Sequence, residues 1–269
     1  MIVLFTLANV SFVARSDAVH WNWGQVSIAL LLMLSFFFRM RLFDEIKDYD
    51  TDLKVNPTRP LPRGVLSIIH VKRMIAILLL LELALASCLG PWAFGLHLFA
   101  VFYSLLMYEE FFIGDLIRPH LTTYAVMHTL VSVFLGVSAA SSALAIQNGQ
   151  FVAAHISFFL MNWCFFNLFE FGRKTFSSEE ERSGVDTYSS LFGGKGAVAL
   201  CVSQGVLGIL LLGYSAHFAM GVFWISLSIF SVVGLNYLFR PQAKNAKLFR
   251  AACGVYLLTH YGLIIYYCI

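Results

Sequence analysis

Charge is scarce in this chain, because only 12% of its 269 residues are Asp, Glu, Lys or Arg. Soluble domains carry about 25%. Hydrophobic residues make up 59% of the chain, and the mean hydropathy is +0.77. This composition excludes a water-soluble fold. At about 20 residues per membrane span, the length holds about nine helices and leaves no room for a separate soluble domain.

Cysteine is also sparse, and the five cysteines lack the CxxC spacing of a metal site. Most of them fall inside apolar runs, so we interpret them as packing residues rather than as a disulfide framework. The sequence has no glycine-rich phosphate loop, no Ser-His-Asp arrangement and no basic patch that would bind nucleic acid. We therefore expect no nucleic-acid partner, and we expect any chemistry to occur in the helix bundle or its loops.

Apolar runs dominate what is present, and they predict an all-α, polytopic membrane bundle of about nine transmembrane helices. The runs cover residues 1–14, 25–40, 66–89, 92–108, 121–145, 151–171, 196–214, 218–239 and 249–269. A cleaved signal peptide is an alternative for the first run, but that run has no basic start and no convincing cleavage site. We therefore interpret it as a short first helix.

The basic residues are distributed unevenly between the two sides of this predicted bundle. All of the 18 Lys and Arg except Arg15 fall in or beside alternate gaps between the runs. The positive-inside rule assigns those gaps to the cytoplasm. We predict a multi-pass protein of the cell inner or plasma membrane whose N-terminus and polar loops are cytoplasmic and whose C-terminus is outside.

Three carboxylates follow the second run at a helical spacing. Asp44, Asp48 and Asp52 are four residues apart, so they share one face if the helix continues that far. Ligand sets made only of oxygen favour Mg²⁺, which typically bridges a few carboxylates and substrate phosphates. The pattern predicts a magnesium site at the cytoplasmic end of this helix.

Two arginines lie just beyond these carboxylates. The closely spaced prolines of segment 57–62 break any helix and hold Arg59 and Arg63 on a stiff loop. Guanidinium groups bind phosphate oxygens through paired hydrogen bonds. A carboxylate-bound metal beside two arginines is what a diphosphate ester requires.

These residues resemble the UbiA superfamily of intramembrane prenyltransferases. The family signature Asn-Asp-x-x-Asp-x-x-x-Asp is matched here by Asp44-Glu45-x-x-Asp48-x-x-x-Asp52, and its Arg-Pro-Leu-x-x-Gly segment by Arg59-Pro-Leu-Pro-Arg63-Gly64. The resemblance implies one domain over residues 1–269. Helices two and six occupy equivalent places, which suggests two weakly repeated halves of about 1–120 and 121–269 with a site between them.

The family's second acidic motif is altered in this chain. Asn167 and Glu170 match its first two polar positions, whereas Lys174 replaces its final Asp. A lysine cannot bind Mg²⁺ but can contact a diphosphate oxygen directly. The segment Glu179-Glu180-Glu181 could supply the missing carboxylate, or it could be a solvated loop.

Other polar residues fall inside the predicted spans, where they are costly and are therefore functional candidates. We expect Glu82 to make a helix-packing hydrogen bond, as the neutral acid, far from the cytoplasmic motifs. Tyr124, His128, Asn162 and Asn236 lie nearer the expected depth of the site and could form the polar end of an acceptor pocket.

The preferred hypothesis is an enzyme that ionises an isoprenyl diphosphate and joins the prenyl group to a lipophilic, aromatic acceptor. The predicted site has metal ligands Asp44, Asp48, Asp52 and Glu170, catalytic residues Asp48, Glu170 and Lys174, and substrate-binding residues Arg59, Arg63, Arg118, Asn167 and Lys174. One alternative is a UbiA-type terpene cyclase, in which an internal double bond attacks the cation. Another is a non-catalytic relative that binds or transports lipid.

Overall fold

The computed structural model describes residues 1–18, 22–141, 152–182 and 184–269, and every regular element among them is helical. Helices suit a lipid environment because they satisfy their backbone hydrogen bonds internally. The helices are α1 (Ile2–Ser16), α2 (Trp23–Lys47), α3 (Tyr49–Val55), α4 (Ile68–Cys88), α5 (Pro91–Tyr108), α6 (Gly114–Ile117), α7 (Leu121–Thr129), α8 (Val131–Ala140), α9 (Ala153–Arg173), α10 (Tyr188–Ser215), α11 (Met220–Phe239) and α12 (Ala243–Cys268). The end of the predicted run 121–145 and the first residue of the run 151–171 lie outside the described residues.

Among the described residues, six helical segments are long and apolar enough to cross a membrane. They are Trp23–Lys47, Pro91–Tyr108, Leu121–Ala140, Tyr188–Ser215, Met220–Phe239 and Ala243–Cys268. The all-helical polytopic bundle is therefore confirmed, and the chain is an integral membrane protein. The count of nine spans is not confirmed for the described residues, because α1 is only 15 residues long and polar or charged side chains interrupt the apolar surfaces of α4 and α9.

Local sequence signals set where these helices begin. The Asn22 side chain accepts hydrogen bonds from the backbone N–H groups of α2, and Ser67 caps α4 in the same way. Thr187 and Ser190 form a reciprocal capping box at the start of α10. These caps fix the ends of the helices on either side of the polar loops.

Helix α9 lies at the centre of the bundle and packs against α7, α8, α10 and α12, while α1 packs against α8 and α12. A buried polar network crosses this region: Asn162 donates to Asn9 at 2.8 Å and accepts from the Tyr261 hydroxyl at 3.0 Å. Gly136 permits this close packing, because a Cβ there would lie 2.7 Å from both asparagine side chains. Asn162 therefore joins three helices and does not belong to an acceptor pocket.

The cysteines are free thiols, and four of the five are buried in the bundle. Cys253 packs so closely against Gly172 that a Cβ at that glycine would lie 2.1 Å from its Sγ atom. Cys88 is the exposed member of the set. Their interpretation as packing residues agrees with the structure for the four buried thiols.

A completely buried ion pair joins α2 to α4. Arg39 and Glu82 are both 0% exposed, with Nη2 and Oε2 2.9 Å apart. The Arg39 Nη1 atom also donates to Ser104 on α5 at 2.9 Å. The predicted helix-packing hydrogen bond of Glu82 is present, but the expectation of a neutral acid is wrong, because the carboxylate has a guanidinium partner. Arg39 lies at the end of the second apolar run, where the charge pattern predicts a loop residue, and the structure buries it in the bundle.

Two basic residues bind backbone carbonyls at the ends of helices. At one end Lys47 donates to the carbonyl of Met107, which joins the C-terminal ends of α2 and α5. At the other end Arg15 donates to the carbonyl of Tyr267, next to the end of α12. The polar loops thus share one end of the molecule, and their cytoplasmic orientation stays a prediction.

Candidate active site

A cavity of about 290 Å³ opens between α2, α5, α7, α8 and α9 at the charged end of the bundle. Its polar lining consists of Asp44, Lys47, Asp48, Tyr124, His128, Thr129, Glu170, Arg173 and Lys174. Its apolar lining includes Phe36, Phe37, Met40, Phe43, Met107, Val131, Leu135 and Phe166. The two acidic segments predicted from sequence therefore line one cavity, although more than a hundred residues separate them along the chain.

The carboxylates of the first segment do not form one continuous stripe. Helix α2 ends at Lys47, and Asp48 has non-helical backbone angles before α3 begins at Tyr49. Asp44 and Asp48 line the cavity. Partial burial and the nearby charge of Asp52 raise the pKa of Asp48 above its ordinary value.

Asp52 is directed elsewhere. Its side chain is 5% exposed and pairs with the guanidinium of Arg59, while Asn56 donates to its other oxygen at 2.9 Å. Asp52 is a predicted metal ligand and Arg59 a predicted phosphate contact, but the two side chains are bonded to each other. Arg63 is exposed on the same loop and does not line the cavity.

The second segment contributes a carboxylate between two cations. Glu170 pairs with Arg173 and with Lys174, whose Nζ lies 3.2 Å from Oε1 of the carboxylate. All three residues line the cavity. Asn167 is buried one turn earlier in α9, bonded to Thr129 and Gln204, and does not line the cavity. Lys174 is thus placed to contact an anion at the site where the family pattern has a carboxylate.

The acidic run after α9 does not replace the missing carboxylate. Glu180 accepts from Arg250, with Nη2 and Oε1 2.6 Å apart, and the hydrogen bond lowers the pKa of Glu180. Glu181 accepts from the hydroxyls of Thr187 and Ser189 at 2.7–2.8 Å. Glu179 is exposed, and none of the three lines the cavity. These residues organise the loop before α10.

A carboxylate with two cationic partners borders the cavity, and the sequence did not predict these pairings. Glu110 pairs with Lys47 at 3.2 Å and with Arg118 at 2.6 Å, and Lys47 also donates to the Tyr124 hydroxyl at 3.2 Å. Burial alone would raise the pKa of Glu110, but the hydrogen bond from Arg118 and the charge of Lys47 lower it. Arg118 is 65% exposed and lines an adjoining groove rather than the cavity.

The turn that carries Glu110 has an uncommon backbone. Glu110, Phe111 and Phe112 all have φ between 50° and 57°, a left-handed conformation that costs free energy in residues other than glycine. The only sequence signal for this network is the pair Glu109-Glu110 at the end of an apolar run. Pairing of Lys47 with a residue 63 positions away could not be inferred from that signal.

Helix α7 forms a polar wall of the cavity. Tyr124, His128 and Thr129 line it, and the assignment of Tyr124 and His128 to an acceptor pocket stays a prediction. The His128 ring stacks on Tyr124 with centroids 3.9 Å apart. Asn236 instead donates to Asn245 at 3.2 Å and does not line the cavity.

Aromatic rings form the apolar floor of the cavity. Phe37 on α2 and Phe166 on α9 stack with centroids 6.3 Å apart. Phe5 on α1 contacts both rings edge-on from below, at 6.3 and 5.5 Å. These rings make part of the cavity lining apolar and aromatic.

The donor set suits a magnesium ion that retains water and phosphate ligands. Asp44, Asp48 and Glu170 present carboxylate oxygens to one cavity, which is the ligand chemistry that Mg²⁺ prefers. Within the described part of the chain, no three His, Cys, Asp or Glu side chains already converge on one point. Glu170 would have to loosen its contacts with Arg173 and Lys174 to join such a site.

Comparisons with known proteins agree with this architecture. The model of the UbiA prenyltransferase family matches residues 2–257. A structure from work on digeranylgeranylglyceryl phosphate synthase in membranes superposes with a TM-score of 0.68 at 14% identity, covering 99% of this chain and 94% of that one. The apo structure of a UbiA homologue from Aeropyrum pernix K1 gives 0.60 at 15% identity, with 96% and 97% covered. No curated protein matches this sequence.

Proposed function

The chain belongs to the UbiA prenyltransferase family, and from this premise we propose that it transfers a prenyl group from an isoprenyl diphosphate to a lipophilic aromatic acceptor within the membrane. The observation that carries the proposal is the convergence of Asp44 and Asp48 with Glu170 and Lys174 on one cavity. The carboxylates of the two segments can bind a cation, and Lys174 can bind an anion. The fold places these groups beside the apolar lining of the same cavity. We further propose that residues 1–269 form a single domain of two related halves, about 1–120 and 121–269.

The polar end of the cavity suits the diphosphate. Asp44, Asp48 and Glu170 would hold Mg²⁺, which when bound neutralises charge on the leaving diphosphate. Lys47 and Lys174 supply cations from opposite sides of the cavity and would bind the diphosphate oxygens directly. Electrostatic stabilisation of this kind is worth most in a site that excludes water. Asp48, Glu170 and Lys174 are the residues we assign to catalysis.

The apolar end suits the prenyl chain and its cation. Phe37 and Phe166 present rings to the cavity, and aromatic faces attract a positive charge. These apolar rings would also keep water away from an allylic cation. The acceptor would lie against the polar wall of α7, near Tyr124 and His128.

The contacts change the predicted roles of the three arginines. Arg59 and Arg118 each have a carboxylate partner, Asp52 and Glu110, so either would have to exchange that partner to bind diphosphate. Arg63 stays a candidate for attracting the anion to the loop. Lys47, Lys174 and Arg173 also have carboxylate partners, but they line the cavity, whereas Arg59, Arg63 and Arg118 do not. We therefore assign the direct contacts to Lys47 and Lys174, with Arg173 beside them.

The two alternative functions are less well supported. A transporter needs a polar path through both leaflets, whereas Phe36, Phe37 and Phe166 make part of this cavity's lining apolar. A cyclase needs no polar acceptor wall, whereas α7 presents Tyr124 and His128 to the cavity.

The test uses the purified full-length chain in lipid nanodiscs with prenyl diphosphates of one to four isoprene units. We expect release of diphosphate that requires Mg²⁺, and loss of one electrostatic contact lowers such rates by about 10²–10³-fold. Asp48→Asn should therefore lose at least about 100-fold, while the matched change Asp50→Asn, outside the cavity, should lose little. Release that is indifferent to a chelator, or equal in both variants, would refute the mechanism.

The orientation is tested separately with topology reporters in cells. A reporter fused after Ile269 should be outside, and one inserted beside Lys195 should be cytoplasmic, because the loop charges gather at one end. The reverse pattern would place the cavity on the outer side of the membrane.

A further inference from the structure

One buried polar atom in the cavity wall has no hydrogen-bond partner. Seven buried side-chain nitrogen or oxygen atoms are unpartnered among the described residues, and only one of them, Nε2 of His128, belongs to a residue that lines the cavity. A buried polar atom without a partner costs free energy and calls for an explanation. A substrate group bound in the cavity would satisfy it.

The position of the proton on His128 follows from its other nitrogen. Nδ1 lies 2.7 Å from the carbonyl oxygen of Tyr124, and a carbonyl can only accept, so Nδ1 carries the hydrogen. The neutral ring therefore has its lone pair on Nε2. Stacking on Tyr124 and an edge contact with Phe111, with centroids 5.7 Å apart, hold the ring in this orientation.

The neighbouring groups leave this lone pair available. The carbonyl of Met107 lies close to the imidazole, but a carbonyl can only accept, so it cannot satisfy the lone pair on Nε2. The cavity carboxylates face cations: Glu170 pairs with Lys174, and Asp44 lies 3.9 Å from Arg41. Asp48 also lines the cavity without an ion-pair partner among the described residues, but it is assigned to Mg²⁺ here. His128 is the remaining polar residue of the lining whose basic atom no described group satisfies.

We propose that His128 is the catalytic base that removes a proton from the acceptor, and that the acceptor therefore carries a hydroxyl group. This inference rests on the proposed prenyl transfer. The bond between the prenyl carbon and the diphosphate oxygen breaks, and its electron pair leaves with the diphosphate. The acceptor oxygen forms the new bond to that carbon, and its proton moves to Nε2, so that the imidazolium donates from both nitrogens until it loses the proton to solvent.

The chain contains a matched control for this histidine. His260 on α12 also bonds through Nδ1 to the carbonyl four residues earlier, at 2.9 Å from Tyr256, and its ring lies 3.9 Å from that tyrosine ring. Its Nε2 is likewise buried and unpartnered, but it does not line the cavity. The local geometry is therefore similar, and the main difference between the two residues is their position relative to the cavity.

The experiment measures diphosphate release and prenylated product in the same reaction. The protein in nanodiscs receives Mg²⁺, the most active donor of the prenyl diphosphate panel, and three probe acceptors of decreasing acidity: 4-nitrophenol, phenol and 4-methylphenol. In His128→Asn an amide can keep the bond to the Tyr124 carbonyl but offers no base. General bases contribute about 10²–10⁴-fold, so transfer to 4-methylphenol should fall at least about 100-fold and more than diphosphate release falls.

Three further results are expected if the inference holds. The loss should be smallest with 4-nitrophenol, which gives up its proton most readily. Added imidazole should restore part of the transfer in His128→Gly. His260→Asn should keep the parent ratio of transfer to release.

Each other outcome counts against the inference. An unchanged ratio in His128→Asn, or an equal fall in release and transfer with all three acceptors, would overturn the base role while leaving the proposed transfer intact. A parent protein that releases diphosphate but prenylates none of the three phenols would also overturn it. A parent that releases no diphosphate from any donor would refute the proposed function and the inference together.

Discussion

The buried ion pair between Arg39 and Glu82 gives the sharpest prediction about stability. Glu82 accepts two hydrogen bonds from Nε, at 2.9 and 3.1 Å, and one from Nη2 at 2.9 Å. Both side chains are 0% exposed, so Glu82→Leu leaves a guanidinium in the bundle without its counter-charge. Removing one partner of a buried pair costs about 3–5 kcal/mol.

The double variant separates the charge from the packing. Replacing both partners of a buried pair by apolar residues of similar volume is often neutral or stabilising, so Arg39→Met with Glu82→Leu should recover most of the loss. Arg41 and Glu45 on the same helix provide an exposed ion pair as control, and surface pairs contribute about 0–1 kcal/mol. Glu45→Leu should therefore change stability little.

The measurement is reversible unfolding in mixed micelles with increasing SDS, followed by tryptophan fluorescence. The midpoint for Glu82→Leu should shift far more than the midpoint for Glu45→Leu, and the double variant should lie near the parent. A Glu82→Leu protein as stable as the parent would refute the argument, as would a double variant no more stable than the single one. The pair also supports the cavity, because the Arg39 guanidinium lies 4.5 Å from the ring centroid of Phe36.

Three further predictions concern the cavity and its surroundings. Lys174→Ala removes a charge-assisted contact worth about 1.5–3 kcal/mol, so KM for the donor should rise at least about tenfold in steady-state assays. In the same assays, Lys174→Asp should regain activity at raised Mg²⁺ concentration. Phe166→Ala opens the aromatic floor, so mass spectrometry of products from mixed donors should show a shift toward longer prenyl chains; an unchanged distribution would refute the floor as a length limit. Arg250 lowers the pKa of Glu180 below the ordinary glutamate pKa of 4.5. The ion pair therefore stabilises the fold fully above pH 4.5, and this stabilisation is lost as the pH falls through the lower pKa of the folded state. Glu180→Gln should accordingly flatten the acid side of a plot of thermal midpoint against pH, and an unchanged slope would contradict the assignment.

The sequence alone determined the class of fold and the approximate places of the polar segments. Runs of apolar residues predict membrane helices because a chain in lipid must satisfy its backbone hydrogen bonds locally. Charges segregate to alternate gaps because burying them in lipid is costly. Asp48, Glu170 and Lys174 were visible for the same reason: ionisable side chains stand out at the ends of apolar runs, and the order of the helices brings those ends together.

The tertiary structure decided which of these polar residues share a cavity. The break in regular helix at Asp48 and the pairing of Asp52 with Arg59 leave Asp44 and Asp48 in the cavity lining without Asp52. One residue of rotation changes a side chain's direction by about 100°, and the sequence does not mark where a helix stops so finely.

Tertiary packing also assigned partners to charges that the sequence leaves unpaired. Arg39 was indistinguishable from a loop arginine until α4 placed Glu82 beside it. The structure pairs Lys47 with Glu110, which lies on a left-handed turn 63 residues later. His128 and His260 have similar local geometry, and their positions in the bundle give one of them access to the cavity. Contacts of this kind depend on how whole helices pack, and so no local pattern encodes them.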